Sequence, residues 1–311
     1  MRRFLLGRLV FAIVSIVVAT FVVLLLSRMS GDPILLYANS GYGLTKEGEE
    51  AVRKRLGLDK PIPIQYALWL GRTLKGDMGE TILDRKPVSR IVFNKLPNTI
   101  QLAIGSWFLA TFIGIPMGII SAVKRGTKLD YIFRSIALFG QALPQFWVGL
   151  VLILIFSVYL KWLPAGLRGE SIWDLKYYIL PTITLASSSL AGYLRITRSA
   201  MLEVLDSEYI RLARAKGASS NMVIWKHAFR NALIQPLTIA TMLLAGFLDG
   251  AVLVETIFAW PGMGSGVLTA VNNNDFPLLQ GYVFFFTVIF VFATFLSDVL
   301  YAFVDPRIRY D

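Results

Sequence analysis

An all-α integral membrane protein, with six transmembrane helices and both termini in the cytoplasm, is the fold class that three features of this 311-residue sequence predict. The residues are 55% hydrophobic, and the apolar ones fall in long uncharged blocks where a soluble domain would distribute them periodically. Several blocks are long enough to cross the ~30 Å hydrocarbon layer as helices. The net charge of +11 comes from bases that flank these blocks, a placement that points to cytoplasmic membrane flanks and excludes nucleic acid as the partner.

Met1, Arg2, Arg3 and Arg8 precede an uncharged run over 9–27, which predicts a first span entered from the cytoplasm. A cleaved signal peptide would have a shorter apolar core and an A-x-A-like site, and neither precedes Arg28. Residues 28–95 hold twelve Lys or Arg and eight Asp or Glu in mixed order. That segment is long enough to escape the charge rule for short loops and is placed outside as a small folded cap. Within it, 47–56 reads as a short amphipathic helix stopped by Gly57. Residues 64–74, carrying Tyr66, Trp69 and Leu70, read as a second one before Gly76.

The membrane-spanning core is expected over 96–311. A second span covers 96–123, with Gly114 and Gly118 four apart for close helix approach. Lys124, Arg125, Lys128 and Arg134, against Asp130 alone, mark the next loop as cytoplasmic. The third span, 135–160, is interrupted around Pro144. Gln141 and Gln145 are four apart and would share a helix face, which suits either a polar pathway lining or interhelical hydrogen bonds. After an external loop over 161–176, span four covers 177–194 and leaves through Arg195 and Arg198. Span five runs from Pro236 to about residue 258, with Asp249 near mid-membrane. An external loop or re-entrant turn carries Trp260-Pro-Gly262 to Pro277, and 279–304 forms span six before a cytoplasmic tail.

Several chemistries are excluded. The chain has no cysteine and one histidine, His227, so thiol catalysis, disulfides and multi-histidine metal sites are absent. The stretch Gly262 to Gly266 resembles a dinucleotide loop only superficially: Val267 stands where the last glycine belongs, and no strand precedes it. No Gly-Lys pair exists for a phosphate-binding loop, so no nucleotide cofactor is expected in this chain. Asp249 is costly at mid-membrane and so is a functional candidate. Pore lining or structural hydrogen bonding is preferred for it over proton coupling, the role that a stand-alone ion-coupled carrier would need. A membrane hydrolase would need a paired-carboxylate or histidine site that is lacking.

Residues 205–236 are a polar, basic island in this apolar chain. Asp206 or Ser207 can cap a helix running to Lys216, with Gly217 as its left-handed stop. Tyr209, Leu212, Ala213 and Lys216 fall on one side and Arg211 and Arg214 on another. A second helix after Asn221 would place Met222, Trp225, Phe229, Ala232 and Leu233 on one stripe. Topology accounts for the charge of a basic loop lying at the interface. The small residues Ala213, Ala215, Gly217, Ala218 and Ser219 add a second possibility, a backbone narrow enough to enter another protein's groove.

The segment YIRLARAKG (209–217), followed by HAFRN (227–231) and Pro236, resembles the cytoplasmic EAA loop of ABC importer permeases, in the version of the dipeptide, oligopeptide and nickel subgroup. Gly31-Asp-Pro33, Leu56-Gly-Leu-Asp59 with Gln65-Tyr66, Gly76-Asp-Met-Gly79, Glu255-Thr-Ile-Phe258 and Asp305-Pro-Arg307 extend the resemblance over nearly the whole chain. Arg211-Leu212 stand where the broad pattern has Glu-Ala, and His227-Ala-Phe-Arg230 where it has Ile-x-Leu-Pro; both departures match the peptide subgroup. The resemblance implies a type I importer-like permease in the prokaryotic inner membrane. Its implied partners are a second homologous permease, two cytoplasmic ATPases that bind the ATP and Mg, and an external solute-binding protein. Tyr209, Arg211, Ala213, Arg214, Ala215, Lys216, Gly217 and Ala218 would then touch an ATPase, and Gln141, Gln145 and Asp249 are candidates for the pathway.

Overall fold

The computed structural model describes residues 2–29, 50, 53–54, 57–169, 171 and 174–304, with the backbone alone at 2–6, 8, 249–250, 298 and 300–304. Eleven helices lie among them: α1 (Arg2–Met29), α2 (Ile62–Thr73), α3 (Val88–Val123), α4 (Lys128–Ala142), α5 (Gln145–Tyr159), α6 (Leu175–Leu205), α7 (Glu208–Ala215), α8 (Ser220–Ala232), α9 (Ile234–Ile257), α10 (Met263–Asn272) and α11 (Phe276–Val304). The expected helix at 47–56, the Gly31-Asp-Pro33 motif and the Asp305-Pro-Arg307 tail lie outside the described residues. The chain divides into two compact units.

The first unit comprises residues 1–98 and 261–292. α2 starts at Pro61-Ile62-Pro63, where fixed proline φ suits a first turn and no N–H is wasted. Its polar face holds α1. The Tyr66 hydroxyl lies 2.9 Å from Thr20 Oγ1 and donates to Val17 O at 3.1 Å, while Arg28 Nε donates to Gln65 Oε1 at 2.9 Å. Leu24, Tyr66 and Trp69 form the apolar core of this contact, with Phe21 edge-on to Tyr66. A second core joins Met78, Val88, Val92, Met263, Ala270 and Tyr282. Asp275 caps α11 by accepting from Leu278 N–H at 3.2 Å, and it also accepts from Ile82 N–H at 3.1 Å. Burial pushes its carboxyl above the usual range, partly offset by these two donors.

The second unit comprises 99–260 and the end of α11 from Ala293. α6 is its centre, packed against α4, α5 and α9. The Gly114–Gly118 pair serves close packing: a Cβ at Gly114 would stand 2.8 Å from Leu190 O, and one at Gly118 would stand 2.6 Å from Thr197 Cβ. Polar bonds add to this: Trp107 Nε1 donates to Ala240 O at 2.7 Å, Thr99 Oγ1 to the fully buried Glu255 at 2.6 Å, and Ser297 Oγ to Thr241 O.

Among the described residues, three helical segments are long and apolar enough to cross a membrane, Leu9–Met29, Val88–Val123 and Phe276–Ser297, and two bent pairs raise the number to as many as five. α6 is not among them. Its middle, TITLASSSLAG (182–192), is rich in Ser and Thr; Thr184 Oγ1 donates back to Leu180 O and Ser187 Oγ to Thr184 O, each at 2.8 Å.

Two expectations are corrected and two are extended. The second span begins at Val88 and not at 96, since Pro87 supplies the helix start. The helix that carries the expected fourth span runs beyond 194: α6 continues past Arg195 and Arg198 to Leu205. The 258–279 loop contains α10. Residues 135–160 are not one kinked helix: α4 ends at Ala142 and α5 starts after Pro144, bent by 111°. Leu143 is extended (ψ 132), the conformation that a following proline imposes. Gln141 and Gln145 therefore sit on different helices and share no helix face.

Candidate functional site

The basic island folds as an elbow of α7 and α8 between the long helices α6 and α9. α6 is anchored just before it. Arg198 donates from Nε and Nη2 to Asp130 at 2.9 and 3.1 Å, and Asp130 also accepts from Ser121 Oγ at 2.6 Å and Gly126 N–H at 3.0 Å. One carboxylate, 1% exposed, thereby ties the ends of α3 and α4 to α6.

Ser207, in an extended conformation (ψ 153), starts α7, and Ile210 is the helix's one buried side chain. Tyr209, Arg211, Leu212, Arg214, Ala215, Lys216 and Gly217 are exposed; Ala213 and Ala218 are half-buried. Gly217 stops α7 at φ +80. Its N–H donates to Arg214 O at 3.0 Å, and Ala218 N–H donates to Ala213 O at 3.2 Å, the paired bonds of a Schellman closure. No atom of the other described residues lies within 4 Å of where a Gly217 Cβ would sit, chain neighbours apart. The glycine is required by its left-handed backbone, and the space beside it is open. Arg211 pairs with Glu208 at 2.8 Å, whereas Arg214 and Lys216 make no ion pair among the described residues.

Ser219 caps α8 by accepting from Met222 N–H at 3.4 Å. The helix then widens into a π-helical turn over Val223–Phe229. This changes which residues face inward. The predicted stripe began at Met222 and Trp225, which are 47% and 57% exposed, whereas Val223, Ala228 and Ala232 are buried. A spacing of five then four replaces the assumed three then four, because the wider turn carries more residues per revolution. Leu212, Met222 and Trp225 are thus left as large apolar side chains on the exposed surface of the elbow.

The two limbs are locked by a contact that helical periodicity does not foretell. The Tyr209 hydroxyl donates to His227 O at 3.0 Å, and Asn231 Nδ2 reaches both the Tyr209 oxygen (2.9 Å) and His227 O (3.0 Å). Tyr209 therefore holds α8, and the motif residues His227 and Asn231 acquire a structural purpose. Their separation of four along one helix was the available signal; their cross-limb partner was not visible.

The pathway candidates separate. Gln145 Nε2 donates to Leu185 O at 3.1 Å and lines a cleft of about 270 Å³ with Ser188, Ser189, Leu243 and Gly246. Gln141 is exposed on the other side of the helix break. Asp249 lies within α9, and its side chain is outside the described residues. No cluster of His, Asp or Glu suited to a metal occurs among the described residues.

Residues 114–310 match the family described as binding-protein-dependent transport system inner membrane component, and residues 1–103 match the N-terminal domain of the same systems. The chain belongs to this family. It is a membrane-embedded permease subunit of the bacterial inner membrane, as the motif resemblance implied. This permease is 38% identical over 305 residues to the oligopeptide transport system permease protein AppB of Bacillus subtilis (strain 168), covering 96% of this chain and 95% of the relative. It is 35% identical over 329 residues to the di/tripeptide transport system permease protein DppB of Pseudomonas aeruginosa (strain UCBPP-PA14), covering 98% and 97%. Its fold is shared with an inward-facing structure of the MetNI methionine ABC transporter, with a TM-score of 0.58 at 18% identity over 69% of this chain and 96% of that one.

Proposed function

We propose that this permease is one of two homologous membrane subunits of an ATP-driven peptide importer, and that its α7–α8 elbow is the lever through which cytoplasmic ATPases move the spans. The observation that carries this reading is the elbow itself: a rigid, hydrogen-bonded turn with exposed Leu212, Met222 and Trp225 beside Arg214 and Lys216. Large apolar side chains ringed by bases make a docking surface, not a solvated loop. Di- or oligopeptides are the cargo that the AppB and DppB relatives support.

The permease would span the membrane six times with both ends inside, in the type I arrangement. An external binding protein would deliver substrate, and two ATPase subunits would bind all the ATP and Mg. ATPase closure can shift the spans only if each partner prefers one conformation of the permease, and an elbow that cannot flex transmits that preference to α6 and α9. The cleft beside Gln145 is the candidate stretch of pathway.

Reconstitution of the complete importer with Gly217→Trp tests this. The indole would fill the open space at the elbow's tip, so ATP hydrolysis would persist while uptake falls at least tenfold. Uptake at the wild-type rate per ATP would overturn the lever.

A further inference from the structure

α4 packs on α6 by one side only. Asp130 and Ala137 are buried there, and a Cβ at Gly140 would stand 2.8 Å from Ala191 Cβ. On the opposite side Lys128, Tyr131, Ile132, Ser135, Leu138 and Phe139 recur at spacings of three and four, and all are exposed, Leu138 at 69% and Phe139 at 61%. This face is basic at its first turn and largely apolar beyond it. At ~1.5 Å per residue it runs about 16 Å from Lys128 to Phe139. That is close to one leaflet of the ~30 Å hydrocarbon layer.

The basic end carries uncompensated charge. Lys124, Lys128 and Arg134 are exposed, and their side chains make no ion pair or hydrogen bond among the described residues. Arg125, in the same turn, is already matched by Asp206. Asp130 is the one acid over 124–134, and its carboxylate is turned inward onto Arg198, Ser121 and Gly126. It is 1% exposed and leaves the three outward bases unneutralised. The Arg134 guanidinium lies 5.7 Å from the centre of the Tyr131 ring, which keeps its charge over the start of the apolar stretch.

We propose that this face of α4 binds an anionic phospholipid, with the phosphate on Lys124, Lys128 and Arg134 and an acyl chain along Ile132, Leu138 and Phe139. Basic clusters beside a span attract anionic headgroups. The apolar stretch favours a lipid over a soluble anion, which would leave it unused. The lack of an outward carboxylate favours an anionic lipid over a zwitterionic one, whose ammonium would meet only bases. Charge at one end and hydrocarbon over one leaflet's depth match the order of groups in a lipid, not in an acidic protein segment.

Native mass spectrometry tests this on the full-length permease and on the assembled importer, with phosphatidylglycerol, phosphatidylcholine of the same acyl chains or glycerol phosphate added in turn. Both preparations should retain phosphatidylglycerol selectively. Lys128→Gln and Arg134→Gln should each lower that retention about fivefold, as expected for one base at a membrane surface, and leave phosphatidylcholine unaffected. Both side chains are exposed, so the variants should keep the wild-type fold. Lys176→Gln removes an exposed base from another segment and should change neither lipid. An equal loss in Lys176→Gln would reduce the effect to net charge and overturn the site, as would undiminished retention in Lys128→Gln and Arg134→Gln. Displacement by glycerol phosphate would make the ligand a soluble anion, and retention by the permease but not by the importer would give the face to a partner subunit; either result overturns the proposal. Lipid retention is read without uptake, so failure of this test leaves the transport reading untouched, and the converse also holds.

Discussion

Replacing Asp130 with alanine removes the acceptor of four hydrogen bonds and strands Arg198, whose side chain is only 20% exposed. Breaking a buried ion pair from one side costs about 3–5 kcal/mol, because the remaining charge is left in a poor dielectric. Arg198 keeps a fifth of its surface in solvent, which places the cost near the lower end, at ~3 kcal/mol. The molecule supplies its own comparison. Arg125 and Asp206 pair at 3.2 Å with side chains 62% and 67% exposed, and losing such a pair costs about 0–1 kcal/mol. Thermal unfolding of the purified full-length chain, followed by tryptophan fluorescence, should therefore rank Asp130→Ala well below Arg125→Ala. Adding Arg198→Met to Asp130→Ala should recover part of the loss, since the stranded charge is then gone. Equal midpoints for Asp130→Ala and Arg125→Ala would refute the idea that this carboxylate anchors the arm leading to the elbow.

Gly118→Val should impair assembly of the second unit more than Gly246→Val, because the first adds a side chain 2.7 Å from the Leu194 carbonyl and the second meets nothing within 4 Å among the described residues. Overpacking of this kind costs about 1–3 kcal/mol or more, and the monodisperse yield on size exclusion is its measure. Tyr209→Phe removes the hydroxyl shared by His227 and Asn231 while keeping the ring. The fold should persist, and the number of ATP molecules hydrolysed per substrate imported should rise at least twofold in the reconstituted importer. An unchanged ratio would show that the two limbs need no lock.

Much of this was legible in the sequence because membranes impose coarse rules. Length and apolarity marked the spans at the N-terminus, at 96–123 and at the C-terminus, although the second helix starts earlier, at Val88, and the tight turn at Gly217 followed from small residues and a missing Cβ. The bend at Pro144 was visible as an interruption but not as a 111° break, since proline announces a lost hydrogen bond and not the angle that neighbouring helices select. The π-helical turn of α8 departs from a pattern built on 3.6 residues per turn, and it buries Val223 and Ala228 while Met222 and Trp225 stay exposed. Asp130 stood out as the one acid in a basic loop, but its partner Arg198 lies 68 residues away and periodicity cannot supply such pairings.

The chain has no cysteine, so a single one introduced by Ala218→Cys reports on the elbow without background. Thiol cross-linking of that cysteine to an ATPase subunit carrying its own single cysteine, in the assembled importer, measures contact at the tip directly. The lever predicts a covalent product whose yield changes between the nucleotide-free and ATP-bound complexes. A position 218 thiol that stays freely reactive to a soluble maleimide in both states, with no cross-linked product, would contradict it.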